Sequence, residues 1–124
     1  MGSHRSVSPP AGTAELGRAL DALRNIAHLT SEGREIFDAS ADRRMALAFL
    51  WVNVGSALKQ FCRLRSITQG SSPFPGPIGL RDRLCYQPAA AVSPRILWST
   101  CTDDTGPLVD LLGGLRRAVE DDGW

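Results

Sequence analysis

Apolar residues recur every three to four positions along most of this chain, the spacing that places them on one face of an α-helix. The first such stripe predicts an amphipathic helix that starts with Thr13 as its N-cap and runs to about Thr30. After Gly33, residues 35–38 are predicted to extend this helix. No alternating apolar and polar run of useful length, the pattern typical of a strand, occurs in the sequence. The pattern therefore predicts an all-α protein.

A second helix is predicted from about residue 42 to 66, with Ser40 and Asp42 as candidate caps. Its apolar residues cover more than one face: Met45, Ala48, Phe49, Trp51, Val52, Val54, Leu58, Phe61 and Cys62. A helix that is apolar over most of its circumference lies at the centre of a bundle or at a subunit interface. We therefore expect this helix to carry the core and to favour a homodimer.

Prolines and glycines divide the second half of the chain. Residues 69–77 contain three prolines and predict a loop, and a short helix is predicted over about 77–86. Ser93-Pro94 is a strong helix start. Gly106-Pro107 is expected to break or kink the path before a last helix that ends near Glu120. Together these elements predict a bundle of four to five helices.

The length of 124 residues suits one domain. We expect residues 1–12, rich in Ser, Pro and Gly, to be a flexible leader or added tail, and 13–124 to form a single helical domain. Because the net charge is only +1, the overall electrostatic field of the protein does not indicate a nucleic-acid partner. The positive charge is nearly all arginine, because Lys59 is the single lysine.

The cysteine and histidine content predicts no metal or cofactor site. Three cysteines without C-x-x-C spacing and two histidines, His4 and His28, provide no ligand pattern. Reduced thiols suit a cytoplasmic protein. The longest apolar run, Met45 to Leu58, contains Asn53 and Ser56 and is too short to span a bilayer. We therefore expect a soluble cytoplasmic protein with no membrane partner.

The densest polar feature is Arg81-Asp82-Arg83, within the segment from Gly79 to Tyr86. By spacing alone it is a solvated helix face above packed apolar neighbours. Three further blocks stand at set distances from it: Val54–Ala57 (V-G-S-A), Ile96–Trp98 (I-L-W) and Gly106–Leu108 (G-P-L). In order and spacing, over about 80 residues, these blocks and G-L-R-D-R-L-C-Y resemble the HepT-like branch of the HEPN superfamily.

The resemblance implies a helical bundle that dimerises through the face bearing the motif. It implies metal-independent RNA cleavage, in which the motif arginine, here Arg81, holds the scissile phosphate. Asp82 and Arg83 would join Arg81 in binding RNA. It also implies a toxin–antitoxin pair, in which a minimal nucleotidyltransferase neutralises the toxin, in some systems by adding AMP to a motif tyrosine.

The motif departs from the family pattern at several positions. Tyr86 stands in place of the histidine, and Pro88 in place of the tyrosine that accepts AMP. Asp82 replaces the usual asparagine, and Ser56 a common glutamate. A phenol, with an ordinary pKa near ~10, is a poor base at neutral pH.

Three hypotheses remain open from the residues. The chain is a HepT-like toxin of ribonuclease lineage, with Arg81 and Tyr86 as its catalytic candidates. Alternatively, it is a catalytically silent dimeric HEPN protein that binds or regulates a minimal nucleotidyltransferase. The third hypothesis is an unrelated helical interaction domain.

Overall fold

A computed structural model describes residues 10–68, 74–86 and 93–121, without the side chains of Pro75 and residues 84–86. It contains α1 (Thr13–Thr30), α2 (Arg34–Ala39), α3 (Ala41–Leu64), α4 (Pro75–Tyr86), α5 (Pro94–Ser99) and α6 (Thr105–Glu120). A π-helical turn, Thr100–Asp104, joins α5 to α6 in one continuous helical path. These ranges contain no strand, so the all-α prediction is confirmed.

The start of α1 differs from the prediction, because Gly12 and not Thr13 is the N-cap. Gly12 has a φ of 94°, and a Cβ added to it would lie 2.5 Å from the ring of Phe61. Only glycine fits both the left-handed backbone and this close approach. Thr13 instead donates from its hydroxyl to the carbonyl of Pro10 at 2.9 Å.

A second glycine separates α1 from α2. Gly33 has a φ of 98°, so the chain turns before Arg34 and α2 is a helix of its own rather than an extension of α1. Of the candidate caps further along, Ser40 and Ser93 are confirmed, whereas Asp42 lies in the first turn of α3. Ser40 accepts a hydrogen bond from the Arg43 amide at 3.1 Å, and Ser93 accepts one from the Ile96 amide at 3.1 Å.

Helix α3 is the central element, and α1 and α4 pack most extensively against it. Its inward side chains are fully or almost fully buried: Leu47, Trp51, Val54, Leu58 and Phe61. The opposite face is different, because Met45 and Phe49 are 66% and 55% exposed. The expectation of a core helix is therefore correct for one face, and the other face leaves large apolar side chains uncovered.

The length of α3 corrects one inference from its apolar run. The helix has 24 residues and is, by length and composition only, apolar enough to cross a membrane. The predicted helix over about 42–66 has nearly this length, but only the apolar run from Met45 to Leu58 within it was compared with the thickness of a bilayer. Contacts with α1, α2, α4 and α5 account for the buried apolar face of α3, and 44% of its most apolar 18-residue window is buried inside the bundle.

Of the break or kink predicted at Gly106-Pro107, the break does not occur, because the helical path is continuous there. Helix α6 begins at Thr105 and carries Pro107 in its first turn, where no backbone donor is needed. The irregularity in the helical path lies instead in the π-helical turn just before α6. It is held from both sides of Cys101: Trp51 donates its indole N–H to the Cys101 sulfur at 3.3 Å, and Thr105 donates to the Cys101 carbonyl at 2.6 Å. Burial raises the pKa of this thiol to about 11, so it is neutral.

Candidate functional site

Helix α4 begins at Pro75, two residues before the predicted start, since proline is well accepted in a first helical turn. Of the loop predicted over residues 69–77, residues 69–73 lie outside the described residues, and residues 75–77 belong to α4, so the prediction is wrong there. Helix α4 carries the Gly79–Tyr86 motif and crosses α3.

The crossing point is Gly55, inside the first of the resembling sequence blocks. A Cβ added to Gly55 would overlap Cβ of Arg81 and would lie 2.7 Å from the carbonyl oxygen of Pro77. The absence of a side chain at this position therefore lets the two helices approach closely. As a result, the block at residues 54–57 and the motif arginine, 26 positions beyond Gly55, become direct neighbours.

The guanidinium of Arg81 is bound by its own chain on two sides. Its Nε donates to the hydroxyl oxygen of Ser56 at 3.0 Å, and its Nη1 donates to Oδ1 of Asp82 at 2.8 Å. The Arg81 side chain is 22% exposed. The predicted RNA-binding residues Arg81 and Asp82 are thus brought together, but as partners of each other.

Lys59 is a further member of this site, which the sequence motif does not predict. Its ammonium nitrogen lies 3.5 Å from Oδ1 of Asp82, the oxygen that also accepts from Arg81. Lys59 follows Ser56 by three positions on α3, and residues three apart share a helix face. That spacing is the signal in the sequence, but it acquires a meaning only when α4 is known to cross at Gly55.

The two cations act on the ionisation of Asp82. The hydrogen bond from Arg81 lowers the pKa of the Asp82 carboxyl below its usual value, against the opposing effect of partial burial, and the charge of Lys59 lowers it further. Asp82 is therefore a carboxylate at neutral pH. The site, which we call the Arg81 cluster (Ser56, Lys59, Arg81 and Asp82), holds two positive charges and one negative charge.

This ionisation predicts a pH-dependent contribution to stability. Because the pKa of Asp82 is lowered in the folded state, its contribution is present above the ordinary carboxyl pKa and is lost as the pH falls through the folded-state value. We expect wild type to be more stable than Asp82→Asn near neutral pH, and the difference to shrink in acid. Urea unfolding of both proteins across the pH range measures it. A difference that grows in acid would contradict the assignment.

Arg83 and Tyr86 are placed differently from Arg81. Arg83 is exposed and borders a cavity of about 310 Å³ that Ile96, Thr100 and Asp104 also line. Tyr86 is the last residue of α4, and its side chain lies outside the described part of the chain. Its pairing with Arg81 in catalysis stays a prediction.

A groove between α1 and α3 leads away from the Arg81 cluster. Next to Ser56 the groove encloses about 460 Å³, lined by Arg18, Asp21, Ala22, Asn25, Leu50, Asn53 and Ala57. It continues into about 440 Å³ bordered by His28 and Phe49. His28 is exposed there. Within the described ranges, no three His, Cys, Asp or Glu side chains converge in a way that could hold a metal ion.

Comparison with known proteins adds no relative: no family model, curated protein or solved structure matches this chain.

Proposed function

We propose that this chain is a HEPN-like protein of the toxin–antitoxin type that acts as a dimeric binding protein and does not cleave RNA by the family's histidine mechanism. The observation that carries the proposal is the double engagement of Arg81 by Ser56 and Asp82 within one chain. The contact between Gly55 and the Arg81 motif supports the HEPN-like part of the proposal. Residues 54–57 and 79–86 each resemble the family in sequence, and in this protein the two segments pack against each other.

The contacts of Arg81 explain why cleavage is disfavoured. An arginine stabilises a scissile phosphate when its donors point at the charge that develops there. Here Nη1 of Arg81 already donates a hydrogen bond to the Asp82 carboxylate on the same helix, and Nε donates one to the Ser56 hydroxyl. A phenol, with an ordinary pKa near ~10, is also a poorer proton carrier at neutral pH than histidine. Both the electrostatic and the proton-transfer parts of the mechanism are weakened.

The exposed apolar face of α3 supports the dimeric part of the proposal. Met45 and Phe49 are four positions apart, so they lie on one face, and both are more than half exposed. A second copy of the chain is the partner we propose for this face, and a minimal nucleotidyltransferase is the partner we propose for the dimer. The cytoplasm is the compartment in which we propose that they meet.

RNA cleavage by the purified protein tests the proposal. We expect neither wild type nor Arg81→Ala to cleave total RNA, and we expect Tyr86→His not to create cleavage, since Arg81 stays engaged by Asp82. Cleavage by wild type that is abolished in Arg81→Ala would overturn the proposal. If a neighbouring gene encodes a small nucleotidyltransferase, co-purification of the two proteins tests the binding role, and failure to co-purify would contradict it.

The second candidate function is RNA cleavage at this same motif, with Arg81 and Tyr86 as catalytic residues. The exposure of Arg83 beside the cavity of about 310 Å³ favours it, because an accessible guanidinium can bind an RNA phosphate. The same cleavage assay separates the two functions. If this motif cleaves RNA, Tyr86→Phe and Arg81→Ala should each abolish the cleavage.

A further inference from the structure

A cavity of about 310 Å³ lies between α4 and the path formed by α5 and the π-helical turn. Each wall is one face of a helical element, with residues three to four positions apart. The α4 wall consists of Gly76, Pro77, Gly79, Leu80 and Arg83, and the facing wall of Ile96, Thr100 and Asp104. None of the four residues of the Arg81 cluster lines this cavity. The cavity is therefore separate from that cluster.

Two opposite charges line the cavity without pairing. Arg83 and Asp104 are both exposed, and among the described residues neither side chain takes part in a hydrogen bond or an ion pair. Asp104 is the N-cap of α6, a position where an aspartate ordinarily accepts a hydrogen bond from a backbone amide, yet its side chain makes no such bond. The cavity thus presents a cation and an anion that are both available to a ligand.

The remaining lining is mostly apolar and leaves room for a ligand. A Cβ added to Gly76 or Gly79 would meet nothing within 4 Å, so the α4 wall is open. Ile96 on the facing wall is 40% exposed. The Thr100 hydroxyl donates to the Ile96 carbonyl at 2.9 Å, and its oxygen can still accept a hydrogen bond. A ligand would meet two charges, one hydroxyl acceptor and an aliphatic surface.

We propose that this cavity binds a free amino acid with an aliphatic side chain, whose carboxylate pairs with Arg83 and whose ammonium group pairs with Asp104 and Thr100. Guanidinium groups match carboxylates in hydrogen-bonding geometry, and carboxylates accept strongly from ammonium groups. The side chain of the amino acid would lie against Leu80 and Ile96. A ligand without net charge suits one cation and one anion, whereas Asp104 would repel a polyanion such as RNA.

The size and the exposure of the cavity define the ligand further. A volume of about 310 Å³ is at the lower end of the range for small-molecule sites, which suits a single amino acid. Because both charged side chains are exposed, each ion pair contributes little, and we expect a Kd of about 1 mM. The proposal makes no use of Arg81 and is independent of RNA cleavage.

An NMR titration with L-leucine tests the site. The backbone amide signals of Gly76 and Gly79 should shift progressively as leucine is added, with a Kd of about 1 mM. N-acetyl-L-leucine lacks the ammonium charge and L-leucinamide lacks the carboxylate, so we expect each to bind about fivefold more weakly than leucine. Equal affinities for the three compounds, or no shift of these two glycine signals, would overturn the proposal.

Two charge variants link each end of the ligand to one residue. Arg83→Gln should weaken leucine binding about fivefold and remove the preference for leucine over leucinamide. Asp104→Asn should weaken it similarly and remove the preference for leucine over N-acetylleucine. Arg95→Gln and Asp103→Asn are the matched controls, because both residues are exposed and neither lines the cavity. Preferences that survive in the two charge variants would contradict the assigned contacts.

Gly79→Leu tests the position of the ligand. The added Cβ meets nothing within 4 Å, and leucine is a better helix former than glycine, so circular dichroism should show a folded variant. The leucine side chain at position 79 fills the cavity, and we expect the shift of the Gly76 signal on addition of L-leucine to be lost. Undiminished binding would overturn the site. Loss of the amino-acid site would leave the proposed function intact, and RNA cleavage by wild type would leave the amino-acid site intact.

Discussion

Gly55→Ala is expected to lower the free energy of unfolding by about 1–3 kcal/mol, the usual cost of inserting a methyl group into a closely packed site. The added Cβ would overlap Arg81 Cβ and press on the carbonyl of Pro77, which is part of the α4 backbone and cannot rotate away. Helix α4 must then move off α3, and the contacts between Ser56 and Arg81 lengthen. Urea unfolding followed by tryptophan fluorescence gives the change.

Gly17→Ala is the matched control for this substitution. Gly17 lies within α1, and a Cβ added there would meet nothing within 4 Å. Alanine is favoured over glycine in a helix by about 0.5–1 kcal/mol, so this variant should be somewhat more stable than wild type. If Gly55→Ala also proved as stable as wild type, the close crossing of α3 and α4 would be wrong.

Phe49→Glu is expected to convert a dimer into a monomer. If the exposed face of α3 meets its counterpart on a second copy, the two-fold symmetry places both Phe49 side chains within one interface. A glutamate would then bury two like charges in an apolar contact, at a cost that a small interface cannot offset. Light scattering during size exclusion should give twice the 13.4 kDa chain mass for wild type and a single chain mass for the variant.

Leu111→Glu is the control for a general effect of a surface charge. Leu111 lies on α6 and is 43% exposed, which makes it another large apolar side chain at the surface. We expect this variant to remain a dimer. A wild-type protein with the mass of one chain would end the dimeric part of the proposal, and a dimeric Phe49→Glu would move the interface away from this face of α3.

The hydrophobic pattern predicted the elements that depend on local sequence. The stripes of α1, α3 and α6 and the capping serines at 40 and 93 gave helices within two residues of their actual bounds where they could be compared. The features that were missed depend on distant residues. Gly12 is the cap of α1 because Phe61 lies against it, and the π-helical turn is held by Trp51 through Cys101.

The candidate site shows the same division between local and distant information. Arg81, Asp82 and Arg83 were found because they are contiguous and stand in a recognisable motif. Ser56 and Lys59 join them only through the crossing at Gly55, and one sequence does not reveal which helix faces pair. The hydrogen bonds of Arg81 to Ser56 and Asp82 could not be predicted either, because they depend on side-chain geometry and not on residue type.

The pairing of Ser56 with Arg81 is the contact on which the interpretation of this protein depends, and a double-mutant cycle measures it. The unfolding free energies of wild type, Ser56→Ala, Arg81→Gln and the double variant give the coupling between the two side chains. For a hydrogen bond of 3.0 Å from a charged, partly exposed donor we expect a coupling of about 1.5 kcal/mol. Additive effects, with a coupling within about 0.3 kcal/mol of zero, would mean that Arg81 is not held by α3, and the self-engaged motif would be contradicted.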